Sequence, residues 1–195
     1  MFNESDNRMH NRRLIKAAPV IWLTGLSGAG KSTIAMQLKS KLDEQGVAVV
    51  ILDGDELRAG LCRDLGFSDE DRTENIRRVS EVAKLFRDMG VCVVVALISP
   101  FARNRAAARE TISEGFFEVF VDTPLAICEG RDPKGLYAKV RRGDIKQFTG
   151  LSSPYEVPLA PDIHLDGAMG YKVDEHVDVI LKVLKERGES LFLPG

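Results

Sequence analysis

The 195-residue chain has few aromatics (7%), one tryptophan, three cysteines and a net charge of −2. Cys62, Cys92 and Cys128 stand far apart, without the close spacing of a metal or dithiol motif, so a disulfide framework and a zinc ribbon are excluded. Reduced thiols in a cytoplasmic protein are the expectation. A near-neutral charge balance gives no electrostatic footprint for a general nucleic-acid or membrane-surface binder, and neither partner is expected. The longest apolar run, Val91 to Ile98, is too short to cross a bilayer. Residues 1–17 mix Asn, Arg, Glu and Asp with no apolar signal segment, and read as a flexible polar arm. There is no internal repeat and no low-complexity linker. One domain over 18–188, with a short tail at 189–195, is the expected organisation for this length. His10, His164 and His176 have no acidic or serine partner at a suggestive spacing, and none is given a catalytic role.

What is present is a phosphate-binding loop. Gly25-Leu26-Ser27-Gly28-Ala29-Gly30-Lys31-Ser32-Thr33 fits G-x-x-x-x-G-K-[ST]. Val20-Ile21-Trp22-Leu23-Thr24 before it reads as a buried strand, and Ile34, Ala35, Leu38 and Leu42 after it recur at helical spacing. The glycines let backbone N–H groups wrap around phosphate oxygens, and the helix N-terminus adds partial positive charge. In such a loop Lys31 reaches the β- and γ-phosphates and the Ser32 hydroxyl sits on Mg²⁺. The glycine order, G-x-x-G-x-G, is a poor match to a dinucleotide fingerprint. ATP and Mg²⁺ are the expected co-substrate and metal.

Val47 to Leu52 forms a second strand ending in Asp53-Gly54-Asp55. In open α/β sheets ligands bind beyond the carboxyl ends of the strands, so these acids face the loop; a plain solvated turn is the alternative. From Asp69 a long helix begins, with Ile76, Val79, Ala83 and Phe86 as its buried stripe. At 3.6 residues per turn Arg72 and Asn75 continue that stripe toward the cleft, whereas Arg77 and Arg78 lie off it and read as solvated. Val91 to Ile98 reads as a central strand, Glu118 to Asp122 as a fourth and Ile163 to Leu165 as a fifth; Val173 to Arg187 is a final amphipathic helix. Arg131 to Arg142 is rich in Arg and Lys with interspersed glycines, the composition of a mobile lid over about 131–150 or of a solvated basic helix. The sum is a three-layer α/β/α P-loop NTPase fold with a central, mainly parallel sheet and a basic lid.

A guanine-reading N-K-x-D motif is missing, and no coupling domain points to a motor. Phosphoryl transfer to a small molecule remains, with a nucleoside or sugar-acid kinase and a non-catalytic nucleotide sensor as alternatives.

Several further stretches, in order along the chain, carry a resemblance. They are Leu52-Asp53-Gly54-Asp55, Asp64-Leu65-Gly66-Phe67-Ser68, Asp71-Arg72-Thr73-Glu74-Asn75-Ile76-Arg77-Arg78 and Glu81-Val82-Ala83-Lys84-Leu85. Ile98-Ser99-Pro100-Phe101, Arg131-Asp132-Pro133-Lys134-Gly135-Leu136-Tyr137 and Phe148-Thr149-Gly150 follow. Together with the loop, this set resembles the adenylylsulfate kinase family from about Val20 to Leu184. Two positions depart from its pattern: Glu56 stands where relatives often have Asn, and Phe101 where many have Tyr.

The resemblance implies phosphorylation of adenosine 5′-phosphosulfate (adenylylsulfate) on its 3′-hydroxyl. It implies that Arg58, Arg72 and Asn75 hold the phosphosulfate and ribose, that Phe67 and Phe148 sandwich the adenine, and that the Ile98 backbone and Lys134 complete the site. Ser99 matches a serine assigned in the family as a phosphoserine intermediate; direct in-line transfer needs only positioning and charge neutralisation, which leaves substrate binding, or phosphorylation as a side reaction, as the other roles. With Asp55 as the base for the 3′-hydroxyl, Asp53 orients either the magnesium shell or Asp55, and Arg141 of the lid neutralises charge on the transferring group. The family usually forms homodimers, and some relatives are fused to an ATP sulfurylase, which makes that enzyme a functional link.

Overall fold

The computed structural model describes residues 17–168 and 172–189, so residues 1–16 of the polar arm, His10 among them, and residues 190–195 of the tail lie outside the described residues. The fold is organised around β1 (Val20–Thr24), whose five residues are all buried. It is the middle strand of a five-stranded sheet ordered β2-β3-β1-β4-β5, in which every pairing is parallel. The other strands are β2 (Val49–Asp53), β3 (Cys92–Ala96), β4 (Phe116–Asp122) and β5 (Ile163–Asp166). Runs of β-branched residues with no polar alternation make such strands, because both faces are covered.

Side chains alternate across β1 and divide the core in two. Ile21 and Leu23 join the cluster of α1 (Lys31–Asp43) and α7 (Val173–Glu186), which contribute Ile34, Leu38 and Leu42, and Val177, Ile180 and Leu184. Val20 and Trp22 face the cluster of α3 (Asp69–Asp88) and α4 (Ala102–Ile112), built on Ile76, Val79, Ala83, Ala108 and Ile112. Each such fully buried aliphatic side chain contributes roughly 1.5–3 kcal/mol over exposure. Helices on both faces of a parallel sheet complete the expected three-layer architecture.

Most strand boundaries shift by one or two residues from the sequence reading, and those of β3, β4 and β2 bear on the site. β3 stops at Ala96 rather than Ile98, because Ser99 takes φ +47° ahead of Pro100 and turns the chain out of the sheet. It is an inner strand, but the centre belongs to β1. β4 begins at Phe116, two residues early, in register with Val20 of β1. β2 runs to Asp53, and Asp55 lies instead in the first turn of α2 (Gly54–Ala59), whose N-terminus Asp53 caps by accepting the Asp55 N–H at 2.9 Å. The basic segment holds the end of α5 (Leu125–Arg131) and α6 (Leu136–Arg141). Because all five strands run the same way, the loop after β1, Asp53, and the turns after β3, β4 and β5 gather at one edge.

Candidate active site

At that edge Gly25 to Gly30 forms a tight backbone cradle between β1 and α1. Gly25 has φ +149°, and a β-carbon there would stand 2.6 Å from the Val121 carbonyl oxygen; Gly28 has φ +75° with the Cys128 carbonyl at 3.0 Å. Only glycine fits both positions. Gly30 ends the cradle in a left-handed conformation, and no side chain caps α1, so its leading N–H groups are not spent on a cap. Lys31 is buried and folds back over the loop, donating from Nζ to the Gly25 and Leu26 carbonyls at 2.9 and 2.7 Å. Burial lowers its pKa from 10.5 to about 8. Ser32 Oγ donates to Asp53 Oδ2 at 2.6 Å, which joins the loop to the end of β2. Asp55, exposed on α2, forms an ion pair with Lys134 from the basic segment between α5 and α6.

The other side of the cleft is built on α3 and the loop before it. Arg58 donates to the Gly66 carbonyl at 2.8 Å and lies over the Phe67 ring at 4.4 Å. Phe67 is 59% exposed, an unusual state for a phenyl ring in a folded chain. Arg72 points inward as its periodicity requires: it is buried and donates to the Phe67 carbonyl (3.0 Å), Thr149 Oγ1 (2.8 Å) and the Gln147 carbonyl (3.1 Å). Asn75 also points inward, and its buried Nδ2 has no hydrogen-bond partner among the described residues. Phe148 is buried, packed edge-on against Tyr137 of α6 with ring centroids 4.9 Å apart. Ser99 is buried, with Oγ accepting the Trp22 indole N–H at 2.9 Å, and the Ile98 carbonyl accepts from Thr24 Oγ1 at 2.7 Å.

Arg78 corrects the periodicity reading. Arg77 is solvent-facing, 58% exposed, but Arg78 is not a free surface charge. It grips Asp64 with two N–H groups at 2.7 and 2.8 Å, Glu74 at 2.9 Å and the Leu61 carbonyl at 3.0 Å, which ties the loop leading to Phe67 onto α3. Helical periodicity sees only the faces of α3; the loop that folds back over one of them is a tertiary contact.

The basic segment reaches the loop through residues to which the sequence gives no site role. Tyr137 donates its hydroxyl to the Ser27 carbonyl at 2.9 Å. Arg131 leans over Gly28 and Ala29, with its Nη1 3.4 and 3.5 Å from their carbonyls. Behind Gly30 a cavity of about 50 Å³ is lined by Arg131, Thr123, Gly167 and His176, among others. The basic run pointed to Arg131 and the motif block contained Tyr137, but Thr123 and Gly167 carry no local signal. Arg141 pairs with Glu129 at 2.7 Å and is 67% exposed, away from the loop contacts made by Tyr137.

The arrangement offers two facing half-sites. One is a backbone anion cradle with Lys31, Ser32 and Asp53, and the other holds a flat ring, two guanidinium groups and an unsatisfied amide, with Asp55 and Lys134 between them. A scan of family models matches residues 17–166 to adenylylsulphate kinase. The adenylyl-sulfate kinase of Pseudomonas aeruginosa is 59% identical over 162 residues, covering 83% of each chain. That of Marinobacter nauticus is 57% identical, covering 86% of this chain and 84% of its own. Among solved structures, the Mycobacterium tuberculosis APS kinase in complex with AMPPNP and APS superposes with a TM-score of 0.83 at 50% identity, covering 87% of this chain and 98% of that one.

Proposed function

Because this chain belongs to the adenylylsulphate kinase family, we propose that its two half-sites hold ATP and adenosine 5′-phosphosulfate, face to face across Asp55. The enzyme is an ATP-dependent kinase that phosphorylates adenylylsulfate, giving 3′-phosphoadenosine 5′-phosphosulfate and ADP. The observation that carries the assignment of the halves is the junction of loop and acids: Ser32 bonded to Asp53, with Asp55 two residues on, paired with a lid lysine.

In this reading the Gly25–Thr33 backbone, including Leu26, Ser27, Ala29 and Gly30, wraps the ATP phosphates. Lys31 exchanges its two carbonyl partners for β- and γ-phosphate oxygens. Ser32 and Asp53 would hold Mg²⁺: an all-oxygen pair suits a hard cation that takes its other ligands from phosphate and water, and no larger cluster of His, Cys, Asp or Glu occurs among the described residues. When bound, the metal neutralises charge on the phosphate oxygens. Asp55 accepts the proton of the 3′-hydroxyl as the oxygen attacks the γ-phosphorus, and Lys134 leaves Asp55 for the substrate. Phe67 and Phe148 take the adenine, with Arg58 already stacked behind Phe67. Asn75 gains in the substrate the acceptor that the described residues do not give it. Arg72, Ile98 and Ser99 shape the phosphosulfate end, and Arg141 swings from Glu129 to the transferring phosphoryl group.

The catalytic unit is residues 18–188 with its lid at about 131–150. It acts in the cytoplasm, as the unpaired Cys62, Cys92 and Cys128 support, and as a homodimer, as the family resemblance supports. An ATP sulfurylase is the functional link, since adenylylsulfate must be formed before it is phosphorylated. Among the described residues no helix is long and apolar enough to cross a membrane. Incubation with MgATP and a panel of acceptors (adenylylsulfate, AMP, adenosine, gluconate), followed by mass spectrometry, tests the reading. Phosphorylation of adenylylsulfate alone, at the 3′ position, is expected; preference for an unsulfated acceptor would overturn it.

A further inference from the structure

Beside the acceptor side of the cleft lies a buried polar junction whose central residue has no part in the reaction just described. Its centre is Arg105 on α4, 3% exposed, whose guanidinium donates in three directions: Nε to Glu118 Oε1 at 2.7 Å, Nη1 to the Ser99 carbonyl at 2.8 Å and Nη2 to the Glu156 carbonyl at 2.8 Å. Glu156 returns the contact. Its N–H donates to the Pro100 carbonyl at 2.8 Å and its carboxylate accepts the Ala102 N–H at 2.6 Å. One residue before it, the Tyr155 hydroxyl meets Thr24 Oγ1 at 2.9 Å. Ser99 is fastened a second time, through Oγ, to the indole N–H of Trp22.

These bonds join two segments that lie far apart in sequence and adjoin the acceptor half-site. The bend at Ser99-Pro100 continues from Ile98 at the end of β3. The strap around Tyr155 and Glu156 continues from Phe148-Thr149-Gly150, to which it is linked by the Gly150 N–H donating to the Ser153 carbonyl at 2.8 Å. We propose that Arg105 is a positioning residue for the acceptor: it sets the separation between the bend and the strap, and so between the two walls of the adenylylsulfate site, with the Trp22–Ser99 bond as a second fastener. A planar fork is needed because the three acceptors come from β4, the bend and the strap. A lysine ammonium, a single point charge, cannot span them. Ser99 follows the same logic. Its φ of +47° is held by the bonds to its carbonyl and hydroxyl, and that hydroxyl faces the buried indole.

The inference rests on adenylylsulfate being the acceptor, and the experiment separates the two claims. Arg105→Lys and Trp22→Phe are made in the full chain, the thermal melt of each is recorded, and steady-state kinetics are measured with each substrate varied in turn. Arg105→Lys is expected to raise KM for adenylylsulfate about tenfold or more, the scale of a sub-ångström to ångström misplacement, while KM for ATP stays within about twofold. Trp22 is the chain's single tryptophan, so its emission should shift in Arg105→Lys as Ser99 moves off the indole. If Arg105→Lys does not fold, Trp22→Phe keeps Arg105 paired and carries the test with the same split in smaller measure. An unchanged acceptor KM in the folded variants, or a parallel rise in both KM values, overturns the role of Arg105. A wild-type enzyme inactive on adenylylsulfate overturns the acceptor assignment instead, and the inference with it.

Discussion

Lys134, between α5 and α6, forms an ion pair with Asp55 of α2, 79 residues away in sequence. The contact places a cation of the basic segment on the carboxylate proposed as the base. Both side chains are about half exposed, and such pairs are worth about 0–1 kcal/mol. Lys134→Ala should therefore leave the thermal melt nearly unchanged while raising KM for adenylylsulfate. A large loss of stability with unchanged kinetics would mark the pair as structural.

Asp55→Asn keeps the size of the side chain and removes the proton acceptor. A loss in kcat of about 10²–10⁴-fold is expected, with little change in KM for ATP, because general-base assistance has that scale. A near-normal kcat would remove Asp55 from the chemistry.

Arg72 and Arg78 separate contact from support. Arg72→Ala leaves Thr149 and two carbonyls without their donor at the acceptor wall. Thr149 is the buried one of the three, and a buried group stranded in this way costs about 1–3 kcal/mol, so both stability and acceptor binding should fall. Arg78→Ala releases the loop before Phe67, and a smaller rise in acceptor KM is expected with kcat preserved. Equal losses in the two variants, measured by kinetics and by denaturant melts, would contradict the distinction.

Lys31 makes binding of ATP sensitive to pH. With its pKa lowered to about 8 by burial, the free enzyme begins to lose this proton near pH 8, whereas an unfolded chain holds it to about 10.5. Between those values the unfolded state binds more protons, so this group's contribution to stability rises with pH. Phosphate oxygens favour the charged amine and reverse the shift. Calorimetry at pH 8.5 in buffers of different ionisation enthalpy should show proton uptake on ATP binding, lost in Lys31→Met. The absence of uptake would place Lys31 away from the phosphates.

The chain's periodicity and loop chemistry carried most of the architecture. β1, α1 and α3 are legible because each joins an apolar pattern to a local boundary signal, such as Ser68 capping α3 through the Asp71 N–H at 3.1 Å. The inward turn of Arg72 and Asn75 followed from the same stripe as Ile76 and Val79. What escaped was set by contacts between distant segments. Arg78 meets a loop 14 residues back, Tyr137 reaches Ser27 across 110 residues, and Arg105 joins β4, the bend and the strap. Windowed patterns do not register such bonds. Phe67 and Phe148 show the intermediate case: Phe67 is open to solvent and Phe148 packs on Tyr137, a difference set by tertiary contacts that the local pattern does not carry.

The central claim, that the two half-sites form one transfer site, is tested most directly by ADP release in a coupled assay with MgATP, with and without adenylylsulfate. ADP formation is expected to depend on the acceptor and to match 3′-phosphorylated product one for one. ADP released at the same rate without adenylylsulfate would contradict it.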